Sequence, residues 1–375
     1  MFSYYNPVKI ITGSECRKVL NNILRKKSRL IFLSRSALQR YSKDPHVTDI
    51  LFDELTHLES GFSSNPSITE IKTIAKKYSS LDIEVIIGFG GGSAMDIAKL
   101  ATLAVPAFKK GIGIDELLET QGKSQFIREF ELIQVPTTAG TGSEVTPFAT
   151  VWDYRKQKKL SLSAECLYAD IAVVDPDFLK SVPEEVQVST SLDALNQAFE
   201  SIWNKKANQI TLSYAAQAIS LSMPLLMSKS IDYSASDYQK MAMASLMAGL
   251  AISQTRTSLC HSISYPLTLK FGVPHGLACA FSMLEVFKHN EPYVRTTINE
   301  ISEVIGINVY AALGEVLENL NLRNRFLAHV SDAKKIESLV PEMLDVTRAS
   351  NNIVEVNEKV VREIVLKSAK NLNMN

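Results

Sequence analysis

The feature that most constrains this chain is a run passing without a break from an apolar strand through three glycines into a helix. It reads Val85 to Phe89 (VIIGF), Gly90-Gly91-Gly92-Ser93, then Ala94-Met95-Asp96-Ile97-Ala98-Lys99. A short apolar run bounded by glycine reads as a buried strand, and Ser93 to Ala104 carries the apolar spacing of a helix. Glycines at a strand end let backbone N–H groups approach an anion closely. The helix N-terminus that follows favours negative oxygens, so this arrangement suits a pyrophosphate. A glycine turn also serves simply to reverse a chain, but the strand before and the helix after favour binding. The run is neither GxGxxG nor GxxxxGK[ST]. The candidate cofactor contacts it supplies are Gly90, Gly91, Gly92, Ser93, Asp96 and Lys99.

Other strands frame this one. Arg29 to Leu33, Glu131 to Val135 and Ile171 to Val174 read as buried strands, and Lys9 to Thr12 and Lys159 to Ser163 as edge strands. Helical patterns such as Ser67 to Tyr78 lie between them, and strands alternating with helices imply crossover units and a parallel sheet. Beyond Asp175-Pro176 the pattern changes. Val186 to Trp203, Ile210 to Met227, Ser236 to Thr255 and the tail from Ile336 to Asn373 all show three- and four-residue apolar spacing. The expected architecture is an α/β domain with a parallel, Rossmann-like sheet over residues 1–180, followed by an all-α domain over residues 181–375. A ligand cleft is expected between them.

Two further turns bear on a nucleotide. After the strand 131–135 comes Pro136-Thr137-Thr138-Ala139-Gly140-Thr141-Gly142-Ser143-Glu144. Its hydroxyls and glycines fit either a ligand-lining loop, with Thr137, Thr138, Thr141 and Ser143 as contacts, or a capped helix start. After the strand 29–33 comes Ser34-Arg35-Ser36, where an acid commonly holds the ribose hydroxyls of NAD. No acid stands here, and Ser34 and Arg35 suit a 2′-phosphate, so a preference for NADP over NAD is expected.

The helical half carries metal-ligand chemistry. Asp193 and Gln197 lie four residues apart and share a helix face, as do His261 and Tyr265, and His275 follows in Val273-Pro274-His275-Gly276. A carboxylate with two imidazoles suits a divalent ion such as Zn2+ or Fe2+. A lone buried histidine is more often a satisfied core residue, and spacing alone leaves both readings open. His46, His57, His289 and His329 lack partners at ligand spacing. Lys156, Lys158 and Lys159 read most simply as a solvated turn, with Lys159 a weaker candidate for reaching substrate.

The composition is that of an ordinary globular protein, with 40 basic and 40 acidic residues and 46% hydrophobic residues. The zero net charge argues against a nucleic-acid binder. No apolar run approaches the roughly 18 residues of a membrane span, and Met1-Phe2-Ser3-Tyr4-Tyr5 lacks signal-peptide character. Four scattered cysteines without CxxC spacing read as thiols in a reducing compartment, so a cytoplasmic enzyme is expected.

Taken together these residues resemble the iron-containing (group III) alcohol dehydrogenases, along nearly the whole chain. The matching stretches are Asn65-Pro66, the GGGSxxDxAK run from Gly90 to Lys99, PTTAGTGSE from Pro136 to Glu144, Asp175-Pro176, Asp193-Ala194-Leu195, His261, and Pro274-His275-Gly276. The resemblance implies the dehydroquinate synthase-like fold of that family, NADP or NAD as cofactor, and a divalent metal, Fe2+ or Zn2+, that polarises the substrate oxygen. It also implies a homodimer or larger homo-oligomer. The family motif runs Asp-Ala-Leu-x-His and supplies one Asp and three His. Asp193, His261 and His275 match ligand positions, whereas Gln197 replaces a histidine, and an amide oxygen is the weaker ligand. A retained but weakened metal, or a metal-deficient homologue with a binding role, follows from that departure. Tyr265 replaces a histidine that relatives use for proton relay, and a phenol with an unperturbed pKa of about 10 is a poor shuttle.

Local wording is similar to the phosphonoacetaldehyde reductase (2-hydroxyethylphosphonate dehydrogenase) branch at Glu200-Ser201-Ile202-Trp203-Asn204, Gln254-Thr255-Arg256-Thr257, Tyr265-Pro266-Leu267-Thr268 and Phe271 to Gly276. Arg256 suits a phosphonate because a guanidinium binds two oxygens at once, although it also suits an internal carboxylate. Lys270 and Arg348 are weaker candidates for that role. The expected substrate is phosphonoacetaldehyde, with another small aldehyde or a sugar-derived alcohol as the alternative. Tyr265, Arg256 and Lys159 are the expected catalytic residues.

Overall fold

The computed structural model describes residues 2–119, 128–155, 158–228 and 232–374. They form two compact units: Asn6–Thr138 with Ser143–Val182, and Met1–Tyr5 with Ala139–Gly142 and Pro183–Asn375.

The first unit holds eight strands among its described residues: β1 (Lys9–Thr12), β2 (Arg29–Leu33), β3 (Thr56–Glu59), β4 (Val85–Gly90), β5 (Glu131–Pro136), β6 (Phe148–Asp153), β7 (Lys158–Ser163) and β8 (Ile171–Val174). Its helices are α1 (Val19–Ile23), α2 (Arg35–Tyr41), α3 (Pro45–Leu51), α4 (Ile68–Tyr78), α5 (Gly92–Lys109) and α6 (Ile114–Glu119). Six strands make one sheet in the order β1-β8-β5-β4-β2-β3, and every pairing in it is parallel. β2, β4 and β8 are buried along their full length, which is why they read as unbroken apolar runs rather than alternating ones. β3, at the sheet edge, is half-buried throughout and polar at both ends, so its sequence carries no strand signal. The segment expected as an edge strand of this sheet, Lys159 to Ser163, instead pairs antiparallel with β6 in a separate ribbon. The sequence missed β6, whose hairpin partner, not the main sheet, satisfies its backbone.

The strand order sets the ligand position. After β2 the chain moves outward to β3, then returns across β2 to β4 and continues the other way. The ends of β2 and β4 therefore flank a switch point, where open α/β sheets take ligands at the carboxyl ends of their strands.

The second unit is helical among its described residues: α7 (Glu184–Ile202), α8 (Gln209–Leu226), α9 (Ala235–Thr255), α10 (Leu259–Phe271), α11 (His275–Ile305), α12 (Val309–Asn319), α13 (Leu322–Leu327), α14 (Ala333–Glu337), α15 (Val346–Ala349) and α16 (Glu358–Asn371). The tail is less continuous than its periodicity suggested. Asp345 caps α15 and Asn357 caps α16, each accepting backbone N–H bonds that stop one helix and start another. α7 is the centre of this unit, and every residue from Ser191 to Ile202 is buried. Phe199 and Trp203 stack on one side of it, with Phe287 packed at a tilt against both. Its buried polar residues, Asp193, Asn196, Gln197, Glu200 and Ser201, cost about 1–3 kcal/mol each if left unpartnered, so their concentration on one core helix marks a site. Among the described residues, no helix is long and apolar enough to cross a membrane.

Candidate active site

The triple-glycine turn sits where the switch point requires. Leu33 pairs with Phe89, so Ser34 emerges beside Gly90. Gly90 pairs with Pro136, so Thr137 emerges on the other side, and its N–H donates to the Gly90 carbonyl at 2.9 Å. Gly90 has φ of +156°, a conformation side chains rarely adopt, and a Cβ there would meet Ala94 Cβ at 2.8 Å. Gly92 opens α5, whose first turn has no side-chain cap. Its N–H groups are therefore available to a phosphate. The Thr137 hydroxyl is buried without a hydrogen-bond partner, and Thr138 lies against Gly91. On the other flank Ser34 caps α2 through Ala37 N–H, while Arg35 and Ser36 are exposed.

The polar residues of α5 bind neighbouring groups of the α/β unit. The Lys99 ammonium is completely buried and donates to the carbonyls of Thr146 at 2.8 Å and Phe148 at 2.9 Å. Asp96 accepts from the Ser143 hydroxyl at 2.8 Å and from Thr150 N–H at 2.9 Å. Ser93 donates its hydroxyl to the Ser64 carbonyl. Lys99 thus ties α5 to the β6 segment. Asp96 and Ser143 are hydrogen-bonded to each other. Burial lowers the Lys99 pKa to about 8 and raises that of neighbouring Glu144 to about 7. Burial also raises the Asp96 pKa, against the pull of Lys99. Lys159 lies over the Trp152 ring at 5.6 Å and within electrostatic reach of Asp96. Both neighbours lie in the α/β unit. Lys156 lies outside the described residues. In the helical unit, Ala139–Gly142 carries Thr141, with Gly140 against Thr190 and Gly142 against Gly249.

The helical unit gathers the expected ligand residues. Asp193 on α7, His261 on α10, and His275 and Cys279 on α11 each offer an atom within 4.8 Å of all the others. His261 Nε2 is 3.3 Å from Asp193 Oδ1, and His275 Nε2 is 3.9 Å from it. Gly276 makes this possible. A Cβ there would sit 1.7 Å from the Ser189 carbonyl oxygen, so only glycine lets α11 start against the α7 backbone. His275 is the first residue of α11, and Cys279 follows one turn later on the same face.

A residue the sequence reading did not single out as functional holds His261 in place. Glu200, wholly buried, accepts from His261 Nδ1 at 2.7 Å and from the backbone N–H groups of Ser258 and His261 at 2.8 and 3.1 Å. With Nδ1 engaged, Nε2 is the nitrogen left to face Asp193, the usual outer-shell arrangement for a metal-binding histidine. The signal was present in the sequence: positions 193, 197 and 200 fall on one face of α7. Burial works against ionisation of Asp193, but His275, His261 and Gln197, which donates its amide to Asp193, outweigh it and lower the pKa. Burial likewise opposes the charge on His261, and Cys279, Glu200 and Asp193 reverse that and raise its pKa. Burial raises the Cys279 thiol.

The donor set fits a divalent ion. Asp193 Oδ1 and Gln197 Oε1 are buried oxygens without hydrogen-bond partners, which a cation would satisfy. Beside this cluster stands a cationic edge. The Tyr265 ring stacks on His275 at 6.0 Å, and the Arg348 guanidinium lies 4.6 Å over Tyr265. Arg348 also pairs with Asp345 at 2.8 Å. Burial disfavours its charge, yet Tyr265 and Asp345 leave its pKa raised. Arg256, exposed at the end of α9, has its pKa lowered by partial desolvation and by the like charge of Arg348. Its backbone is strained, with φ of 63° and ψ of 177°. Lys270 is exposed in the last turn of α10.

Comparison with known proteins agrees with this geometry. Residues 7–176 match the family described as iron-containing alcohol dehydrogenase, and residues 187–369 match the C-terminal region of the same family. A 1-propanol dehydrogenase of Citrobacter freundii is 32% identical over 77% of this chain and 74% of its own length. A phosphonoacetaldehyde reductase of Streptomyces viridochromogenes is 30% identical over 66% of this chain and 63% of its own. The crystal structure of a sulfoacetaldehyde reductase from Bifidobacterium kashiwanohense with NAD+ superposes with a TM-score of 0.85, at 26% identity, covering 98% of this chain and 99% of that one. The glycine cradle, the buried ligand cluster and these matches together place the chain in the iron-containing alcohol dehydrogenase family, enzymes that use NAD(P) and a divalent metal to interconvert alcohols and aldehydes.

Proposed function

We propose that this enzyme reduces a small aldehyde carrying an anionic head group, phosphonoacetaldehyde to 2-hydroxyethylphosphonate, with NADPH as the preferred reductant. The observation that carries this reading is the strained Arg256 with Arg348 at the edge of the ligand cluster. A non-glycine residue in that backbone region costs about 1–3 kcal/mol and persists only where its surroundings enforce it. Here the Arg256 carbonyl accepts from Asn204 at 3.3 Å and from the Thr255 hydroxyl at 3.0 Å, while Thr255 is tied to Ser201. The Arg256 guanidinium feels the like charge of Arg348, which already pairs with Asp345, so this edge is cationic and favours an anionic group. A phosphonate has oxygens for both guanidiniums.

In this reading Asp193, His261 and His275 would hold a divalent ion, which would supply Lewis-acid polarisation of the substrate carbonyl. A bound nicotinamide would supply the hydride, and the alcohol oxygen would take its proton from solvent. Glu200 fixes the His261 tautomer. Tyr265 is a positioning residue that sandwiches Arg348 and His275 in register. Arg256 and Arg348 orient the head group, so that the carbonyl end is directed to the ligand cluster. Ser34 and Arg35, beside Gly90, receive the 2′-phosphate, and the Gly90–Gly92 turn the pyrophosphate. The four free cysteines support a reducing, cytoplasmic setting, and light scattering of the purified protein tests the expected homo-oligomer.

The test is a panel of phosphonoacetaldehyde, sulfoacetaldehyde, succinic semialdehyde and propanal. Phosphonoacetaldehyde should show the highest kcat/KM. Arg256→Ala and Arg348→Ala should each lower it about 10–100-fold, the worth of a charged hydrogen bond, and Arg256→Ala should leave propanal nearly unchanged. Equal or better turnover of propanal by the wild type would favour the neutral-alcohol reading that the 1-propanol dehydrogenase relative supports.

A further inference from the structure

We infer that Cys279 is the fourth protein ligand of the metal, standing in for the histidine that Gln197 replaces, and that this makes the centre a zinc site rather than an iron site. The inference rests on Asp193, His261 and His275 holding the ion, and is independent of which aldehyde is reduced.

The position of Cys279 follows from the local fold. It lies one helical turn beyond His275, on the α11 face that Gly276 brings against α7. Its Sγ is 3.9 Å from His275 Nε2 and in hydrogen-bond contact with His261, and it is wholly buried. Two donors on one tetrahedral zinc sit roughly 3.4–3.6 Å apart, given bonds of about 2.0–2.3 Å. The 3.3 Å and 3.9 Å separations among Asp193, His261 and His275 bracket that range, and the sulfur joins the same cluster. Gln197 spends its amide N–H on Asp193 and so orients that carboxylate, while its unpartnered Oε1 is the competing donor that the Gln197→Ala variant removes. Exchange of a hard amide oxygen for sulfur as the fourth donor shifts preference toward zinc, because a thiolate is a soft ligand and ferrous iron in such sites favours nitrogen and oxygen donors. On metal entry the thiol proton is released to solvent and the sulfur binds as thiolate.

The experiment substitutes Co2+ into the full-length protein and reads its absorption spectrum. A thiolate ligand produces an intense near-ultraviolet charge-transfer band that oxygen and nitrogen ligands do not. The band should appear in the wild type and in Gln197→Ala, and vanish in Cys279→Ser, whose visible d–d bands and thermal unfolding report that the site and fold persist. In parallel, refolding with equimolar Fe2+ and Zn2+ under anaerobic conditions, followed by elemental analysis, should give mainly zinc in the wild type and a smaller zinc excess in Cys279→Ser. A Co2+ spectrum without the thiolate band, or one unchanged by Cys279→Ser, overturns the assignment, as does loss of the spectrum in Gln197→Ala alone. A wild type that shows the band but does not reduce phosphonoacetaldehyde would refute the substrate and leave the ligand set standing.

Discussion

Replacing Gly276 with alanine tests the geometry on which the whole site depends. The added Cβ would lie 1.7 Å from the Ser189 carbonyl oxygen, 2.6 Å from its carbon and 3.1 Å from Asp193 N, all of them backbone atoms that cannot rotate away. Side-chain carbons essentially never approach closer than 3.0 Å, so the start of α11 must withdraw by at least about 1.3 Å, an overpacking strain of about 1–3 kcal/mol. His275 moves with it. Its Nε2, now 3.9 Å from Asp193 Oδ1, would end near 5 Å, beyond the roughly 4.3 Å that two donors on one zinc can span. Melting temperature should fall by several degrees, at about 2–4 °C per kcal/mol for a unit of this size. Zinc affinity should fall by more than the roughly 10–100-fold typical of losing an outer-shell partner. Differential scanning fluorimetry with and without zinc, together with metal analysis, reads both quantities. A Gly276→Ala protein with wild-type melting and one equivalent of tightly held metal would show that α11 does not need that close approach, and the account of how His275 reaches Asp193 would fail.

Other perturbations separate the remaining roles. Arg256→Gly relieves a strained backbone, so it should raise thermal stability by about 1 kcal/mol while weakening KM for an anionic aldehyde; lower stability would show that no strain was stored there. Glu200→Gln keeps the shape but weakens the acceptor for His261 Nδ1, and should cost about 10–100-fold in metal affinity, measured by competition with a chelator. Arg35→Asp should move cofactor preference from NADPH toward NADH, and a wild type that already favours NADH tenfold or more would refute the role given to Arg35. Glu144 has a folded-state pKa raised to about 7, so the folded protein binds the extra proton. Its contribution is fully present below the ordinary carboxylate range and is lost as pH rises to 7, by about 3 kcal/mol. Glu144→Gln should therefore flatten the decline in stability between pH 4.5 and 7, followed by denaturant titration at several pH values, and an unchanged slope would show that Glu144 is ionised in the fold.

Periodicity carried most of the architecture. Strands buried on both faces, such as β2, β4 and β8, announce themselves through near-continuous apolar runs, and the helices α7, α8 and α9 do so through their apolar spacing. What lacked such a signal was at edges: β3, half in solvent, and β6, which lies outside the main sheet and is held by a hairpin partner and by α5. The glycine turn, the small-residue loop and the spacing of Asp193, His261 and His275 were legible because each chemistry restricts residue type at a fixed offset.

The sequence by itself determined the two-part fold, the place of the cradle after β4, and the residues able to bind a cation. Only tertiary structure decided which polar atoms were already committed. Lys99 and Asp96 belong to the same motif as the glycines, yet burial turns them toward backbone groups of the β6 segment. Glu200 and Cys279 carried no motif of their own, and they join the site because Gly276 lets α11 close on α7 and because α10 presents His261 between them. Linear spacing records which residues share a face of one helix. It does not record which faces of different helices meet, and that meeting, enforced by packing around the buried length of α7, is what gathers four side chains from three helices into a group able to hold a metal ion.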